Sequence, residues 1–227
     1  MSVEWPDSYD FRSDEICQSV FRPFIESELD RLRLYDGGRP ADRTYIFHEH
    51  AQRVAQDVKN ACLHLGLSER VGENMYWAVL PHDIGKRALP VDVWDTEEKP
   101  TEELKVIRRS HTEKGADIAR EALQNDNHPF KGLMLDIMLN HHEQMDGRGY
   151  RGLKAEDLSK PVRLTAIVEA FDGWRVWRPH FGDRDLTIPG VLTRMREEKA
   201  QDMFDLPLFE AFADMKMNEY NNTHAKI

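Results

Sequence analysis

The stretch that decides the fold is "LPHDIGKRALP", residues 80–90. It sets His82 beside Asp83 in an apolar setting, then places a glycine at 85 and a cation at Lys86. Burying an imidazole and a carboxylate together is costly unless something satisfies both. Upstream, Met75, Ala78 and Val79 precede His82 at helical spacing. The pattern predicts a helix over 69–88 with the polar pair turned inward.

The same arrangement recurs along the chain. His50 lies between Phe47 and Val54 in a helix expected over 46–65. His111 falls in the series Leu104, Ile107, His111, Gly115, Ile118, on a helix capped by Thr101 and running to near Leu123. His141 continues Met134, Ile137 and Met138 in a helix over 130–142. Asp172 follows Leu164, Val168 and Phe171 in a helix over 159–177. Further helices are expected over 13–34, 187–201 and 206–218, and a glycine-rich loop, "MDGRGYRGL", over 145–153. Strand patterns, repeats and low-complexity tracts are absent from the sequence. The expected architecture is therefore all-α, with an N-terminal helical extension over 1–45 and one larger domain over 46–227.

The chain has 227 residues, 40% hydrophobic and 32% charged, enough for a packed core. No apolar run approaches the roughly 20 residues that span a bilayer. The N-terminal sequence lacks the basic start and apolar core of a signal peptide. With Cys17 and Cys62 far apart, we expect reduced thiols in a cytoplasmic protein. The net charge of -10 and scattered Lys and Arg argue against a nucleic-acid polymer or a membrane surface as partner. Arg108-Arg109 reads as a solvated helix face. A small anion would need metal ions or a few placed cations to bind such a chain.

One inward histidine is more often bonded to a carbonyl than to a metal. Five helices each aiming an imidazole or carboxylate inward would need five separate partners, or one shared metal centre. Imidazoles with a few carboxylates suit Fe, Mn, Zn, Co or Ni and are poor for Ca and Mg. Asp83, between imidazoles, is placed to bridge two metals, and such a pair can hold a hydroxide and clamp a phosphoryl group. Lys86, one turn after His82, is placed to neutralise a phosphate oxygen.

These residues resemble the HD superfamily of metal-dependent phosphohydrolases. "HDIGK", "HTEKGADI" (111–118), "HHEQMDGRGYRGL" (141–153) and "RLTAIVEAFDGWRVWRP" (163–179) resemble its HD-GYP subfamily. The resemblance implies a helical bundle around a polynuclear centre of iron or manganese that hydrolyses cyclic di-GMP or cyclic GMP-AMP. It implies His50, His82, Asp83, His111, His141, His142 and Asp172 as metal ligands. It further implies Asp83 and Lys86 as the catalytic pair, and Lys86, Gly149, Tyr150, Arg151 and Arg178 as substrate contacts. Three departures stand out. Arg151 replaces the proline of Gly-Tyr-Pro and frees the loop from a fixed φ. Ile46 stands where three-metal members carry a glutamate, which points to two divalent metal ions. "DGWRV" (172–176) replaces the usual run after the last ligand, which bears on the base recognised.

The expected function is a phosphodiesterase in which a metal-bridging hydroxide attacks phosphorus of a cyclic dinucleotide. The alternatives are an HD-type nucleotide phosphohydrolase, a mixed-valent di-iron oxygenase, or a binding module without turnover. The sequence leaves a homodimer open.

Overall fold

The structure, a computed structural model, describes residues 5–40, 44–96, 98–177 and 182–225. Its α-helices are α1 (Arg22–Gly37), α2 (Phe47–His64), α3 (Glu69–Val79), α4 (Glu102–Arg109), α5 (His111–Ala122), α6 (Pro129–Asn140), α7 (Lys160–Arg175), α8 (Ile188–Glu198), α9 (Ala200–Met203) and α10 (Leu206–His224). There is no strand among the described residues. An isolated bridge between Asp146 and Lys154 closes the glycine-rich loop.

Local chemistry sets the helix starts. Ser68, Thr101, Ser159, Thr187 and Asp205 each accept a backbone N–H of the first turn of the helix they precede. Pro129 and Pro161 sit in first turns, where a missing N–H costs nothing.

Three expected helices are broken: the one over 187–201 divides at Lys199 into α8 and α9, and the other two breaks shape the site. The helix predicted over 69–88 ends at Val79, because Pro81 can give no N–H to the preceding turn. The chain then winds more tightly, with His82 N–H on Val79 O, Ile84 N–H on Pro81 O and Lys86 N–H on Asp83 O. At three residues per turn, Asp83 and Lys86 eclipse one another and point the same way. The helix predicted from Thr101 to Leu123 divides at Ser110, whose N–H is shared between Val106 O and Ile107 O. Thus α5 packs inward while α4 buries none of its residues. Elsewhere the chain stays helical longer than expected, with α1 running to Gly37 and α10 to His224.

The core is continuous. Val54, Val58 and Cys62 of α2, Met75 and Val79 of α3, Ile137 and Met138 of α6, and Val168 and Phe171 of α7 form its centre. Phe11, Phe21 and Ile25, from the N-terminal stretch, belong to the same cluster. Burying each such side chain contributes about 1.5–3 kcal/mol. The tight turn at 84–88 lies directly on α5. A Cβ on Gly85 would stand 1.9 Å from His111 O and 2.5 Å from Gly115 N, so only glycine admits this approach. Among the described residues no helix is long and apolar enough to cross a membrane.

Candidate metal centre

The packing of α2, α5, α6, α7 and the tight turn after α3 brings their inward polar groups to one point. His50, His82, Asp83 and His141 are at most 1% exposed, and His111 is 2% exposed.

Each imidazole is oriented by its outer nitrogen. His82 Nδ1 lies 2.9 Å from Val79 O, His111 Nδ1 2.7 Å from Arg108 O, and His141 Nδ1 3.0 Å from Ile137 O. A carbonyl only accepts, so Nδ1 carries the proton in all three rings. His50 Nδ1 meets Asp172 Oδ2 at 2.7 Å, and Asp172 also takes both arms of the Arg53 guanidinium, at 2.7 and 2.9 Å. In every case Nε2 is left pointing inward.

The inward atoms surround Asp83 from two sides. Oδ1 faces His111 Nε2 at 3.2 Å and His141 Nε2 at 3.7 Å. Oδ2 faces His50 Nε2 at 3.5 Å and His82 Nε2 at 3.6 Å, and pairs with the Lys86 ammonium. The potential ligands form two groups that share this carboxylate: His50, His82, Asp83 and Glu169, and Asp83, His111, His141 and His142.

The donors fit divalent cations. His111 Nε2 and His141 Nε2 stand 3.4 Å apart, and Asp83 Oδ1 between them is buried without a hydrogen-bond donor. Bare lone pairs and a carboxylate oxygen at these distances repel unless a cation lies among them. Fixing Nδ1 on a carbonyl or carboxylate is also how metal-binding histidines are held in the right tautomer.

The protein's own charges are balanced around the same atoms. Burial would drive the His50 imidazole down, but Glu169 and the Asp172 hydrogen bond lift it to about 9. Burial would raise Asp172, yet its bonds to His50 and Arg53 hold it at about 2. Asp83 stays well below the usual carboxylate range despite burial, because Lys86 and His82 face it. Glu169 is lowered likewise against burial, by His50 and His82. Burial depresses His142 to about 3, and burial, with His142 and His82 nearby, holds His141 well below the usual imidazole range.

Six of the seven expected ligands are brought together, and Asp172 stands apart from them. It touches the outer nitrogen of His50 and so acts through that ring. The carboxylate that reaches the centre is Glu169, with Oε2 at 2.6 Å from His50 Nε2 and 3.2 Å from His82 Nε2. The sequence carried a signal for it: Glu169 is the only charged residue between Leu164 and Phe171, and lies three residues before Asp172 on the same helix face.

Lys86 is buried, with its ammonium over the rings of Phe47 at 4.7 Å, Tyr45 at 5.1 Å and Trp94 at 5.7 Å. It lines a cavity of 300 Å³ beside the centre, and a second lobe of 260 Å³ opens on the other side of His142, Tyr150 and Glu169. The Tyr150 ring lies against that of His142, with centroids 4.4 Å apart and the planes tilted by 32°. Buried Glu143 holds this loop by accepting the N–H of Arg151 at 2.6 Å and of Leu153 at 2.8 Å. Gly149 packs on Glu143, where a Cβ would come within 2.5 Å of the glutamate Cα. The Arg151 side chain is bound to Asn140 and lines neither lobe. Arg178 lies outside the described residues. Arg108 and Arg109, expected to be solvated, both line the larger lobe.

A third group, Asp14, Cys17 and His128, lies outside this centre. His128 Nδ1 caps α6 by accepting the Phe130 N–H, and Nε2 faces Asp14 at 3.3 Å, so the imidazole is already committed structurally.

Comparison with known proteins bears on this geometry. A 3'3'-cGAMP-specific phosphodiesterase of Vibrio cholerae is 29% identical over 76% of this chain and 38% of its own length. A cyclic di-GMP phosphodiesterase of Pseudomonas aeruginosa is 31% identical over 88% of this chain and 44% of its own. The chain thus spans less than half the length of these relatives. In fold it resembles an HDG"Y"P protein from Bdellovibrio bacteriovorus, with a TM-score of 0.63 at 14% identity, covering 86% of this chain and 63% of that one. A sequence profile of the HD domain matches residues 41–207. That span takes in every helix contributing to the centre, and the chain belongs to the HD domain family.

Proposed function

We propose that this chain is a metal-dependent phosphodiesterase that hydrolyses a cyclic dinucleotide, cyclic di-GMP or cyclic GMP-AMP. The observation that carries this reading is the shared carboxylate: Asp83 turns one oxygen to each of two imidazole groups, beside a cavity that holds a buried cation. The names of the relatives supply the substrate class.

His50, His82, Asp83 and Glu169 would hold one divalent ion, and Asp83, His111, His141 and His142 the other. Iron or manganese suits this mixture of imidazole and carboxylate. Divalent ions there would supply Lewis-acid activation of the phosphodiester and of water at neutral pH. The chain's own groups do the rest. Lys86, pinned by Asp83 and three aromatic rings, offers a fixed positive charge to a phosphoryl oxygen without reorganising. Asp172 and three backbone carbonyls hold the rings so that Nε2 stays available. Tyr150 lines both lobes and stands between them, where it can meet a substrate in either.

The test is anaerobic purification with elemental analysis, followed by chromatography of products from a panel of cyclic dinucleotides. The reading expects two iron or manganese ions per chain and a linear dinucleotide or mononucleotides as product. A metal-loaded protein that binds the panel without cleaving it, or that consumes oxygen instead, would refute it.

A further inference from the structure

The larger lobe is electrostatically out of character for the chain. The protein carries a net charge of -10, yet Lys86, Lys105, Arg108 and Arg109 line this lobe against the single carboxylate of Glu169. These cations are not equivalent. Lys86 is paired with Asp83 in the centre. Arg108 is bound to Val93 O, Trp94 O and Thr96, and so ties α4 to the preceding loop. Arg109 is different. Its guanidinium lies 5.2 Å from the Tyr150 ring centroid, and among the described residues no carboxylate stands at ion-pair distance from it.

The placement of α4 adds to this. A helix that buries none of its residues contributes little to the core, yet its last turn lies at the rim of the lobe. Lys105 and Arg109 are one turn apart on it, an i,i+4 pair of like charges that weakens a helix. Among the described residues, Lys105 pairs with Glu102 of its own helix. Behind Arg109, the Tyr150 ring lies against that of His142. Arginine, aromatic ring and imidazole thus form a continuous row of contacts from the rim to the centre. A guanidinium has five N–H donors in a fixed fork, so one lying beside a ring can still offer N–H groups to a phosphate.

A cyclic dinucleotide carries two phosphodiesters. Only one can lie at the centre beside Lys86, and an acidic protein repels the other unless a cation meets it. We propose that Arg109, backed by Tyr150 and assisted by Lys105, is an anion subsite for the phosphodiester that is not being cut. It selects cyclic dinucleotides over substrates with a single phosphodiester. This inference rests on the phosphodiesterase reading above.

The experiment is steady-state kinetics of the manganese-loaded wild type, Arg109→Ala, Arg109→Lys and Lys105→Ala. The substrates are cyclic di-GMP and 3'3'-cGAMP, each with two phosphodiesters, and bis(4-nitrophenyl) phosphate, with one. Arg109→Ala should raise KM for the cyclic dinucleotides about tenfold while kcat changes far less, as expected for loss of one charge-assisted contact. Arg109→Lys should recover part of the loss, and Lys105→Ala should show a smaller rise in KM. The loss of kcat/KM should be several-fold greater on the cyclic dinucleotides than on bis(4-nitrophenyl) phosphate. An unchanged KM in Arg109→Ala, or equal losses on both substrate types, overturns the subsite and leaves the phosphodiesterase reading intact. A wild type that cleaves bis(4-nitrophenyl) phosphate but no cyclic dinucleotide overturns both.

Discussion

Glu169 and Asp172 lie three residues apart on α7 and both reach His50, but at opposite nitrogens, so substituting each should give a different result. Glu169 Oε2 faces the two inward nitrogens of His50 and His82, at 2.6 and 3.2 Å. Glu169→Gln keeps the shape and removes the charge, so one of the two metal sites loses its anionic ligand other than Asp83. We expect metal content to fall from two ions to one at saturating metal. Asp172 instead accepts three hydrogen bonds, one from His50 Nδ1 and two from Arg53. An amide at 172 has one acceptor oxygen for these donors. If its NH2 faces His50, the ring must move its proton to Nε2, the nitrogen that should bind metal. Loss of such an orienting partner costs about 10–100-fold in metal affinity. Asp172→Asn should therefore keep two sites, with one weakened by that factor. It should also lose about 1–3 kcal/mol of stability if the buried His50 donor is left short of an acceptor. Competitive metal titration with a fluorescent chelator, elemental analysis at saturation and urea unfolding read all three quantities. Two retained ions in Glu169→Gln, together with one ion lost outright in Asp172→Asn, would exchange the roles and refute the assignment.

Three other outcomes follow from the packing and the titrating groups. Gly85→Ala forces a Cβ onto the His111 carbonyl at 1.9 Å. It should destabilise the fold by about 1–3 kcal/mol or more in urea and weaken metal binding, because His111 must shift. Glu143→Ala leaves the backbone N–H groups of Arg151 and Leu153 without their acceptor. It should speed hydrogen exchange of residues 149–153 well beyond the rest of the chain and raise KM. Burial pushes the Cys62 thiol up from 9.0 to about 12. A folded-state pKa above the unfolded value stabilises the fold fully below pH 9, and that contribution is lost as pH rises from 9 toward 12. Cys62→Ala should flatten that part of the stability–pH profile, and the native thiol should resist alkylation at pH 8 until the chain unfolds.

The sequence made the bundle legible because inward histidines kept step with apolar residues. His50, His111 and His141 could each be placed on a buried face by spacing of three or four residues. The break after Val79 was signalled by Pro81, and the run of apolar residues around it concealed the signal. Glu169 was hidden for a related reason. In a helix buried on nearly all sides, spacing does not tell which of two nearby carboxylates faces a cavity and which backs a ligand. Arg109 illustrates a different limit. A basic residue on an exposed helix is ordinarily solvated, and only the turn at Ser110, which swings α4 over the lobe, gives it a neighbour in Tyr150. Arg151 was expected at the substrate, but its side chain is bound to Asn140.

The central claim is that the Asp83 carboxylate is shared by two cations. It is tested most directly by anomalous diffraction from crystals of the manganese-loaded protein. The account predicts two peaks, one on each side of Asp83, about 3.5–4 Å apart, with Glu169 on one and His142 on the other. A single peak, or two peaks of which one lies away from Asp83, would contradict it.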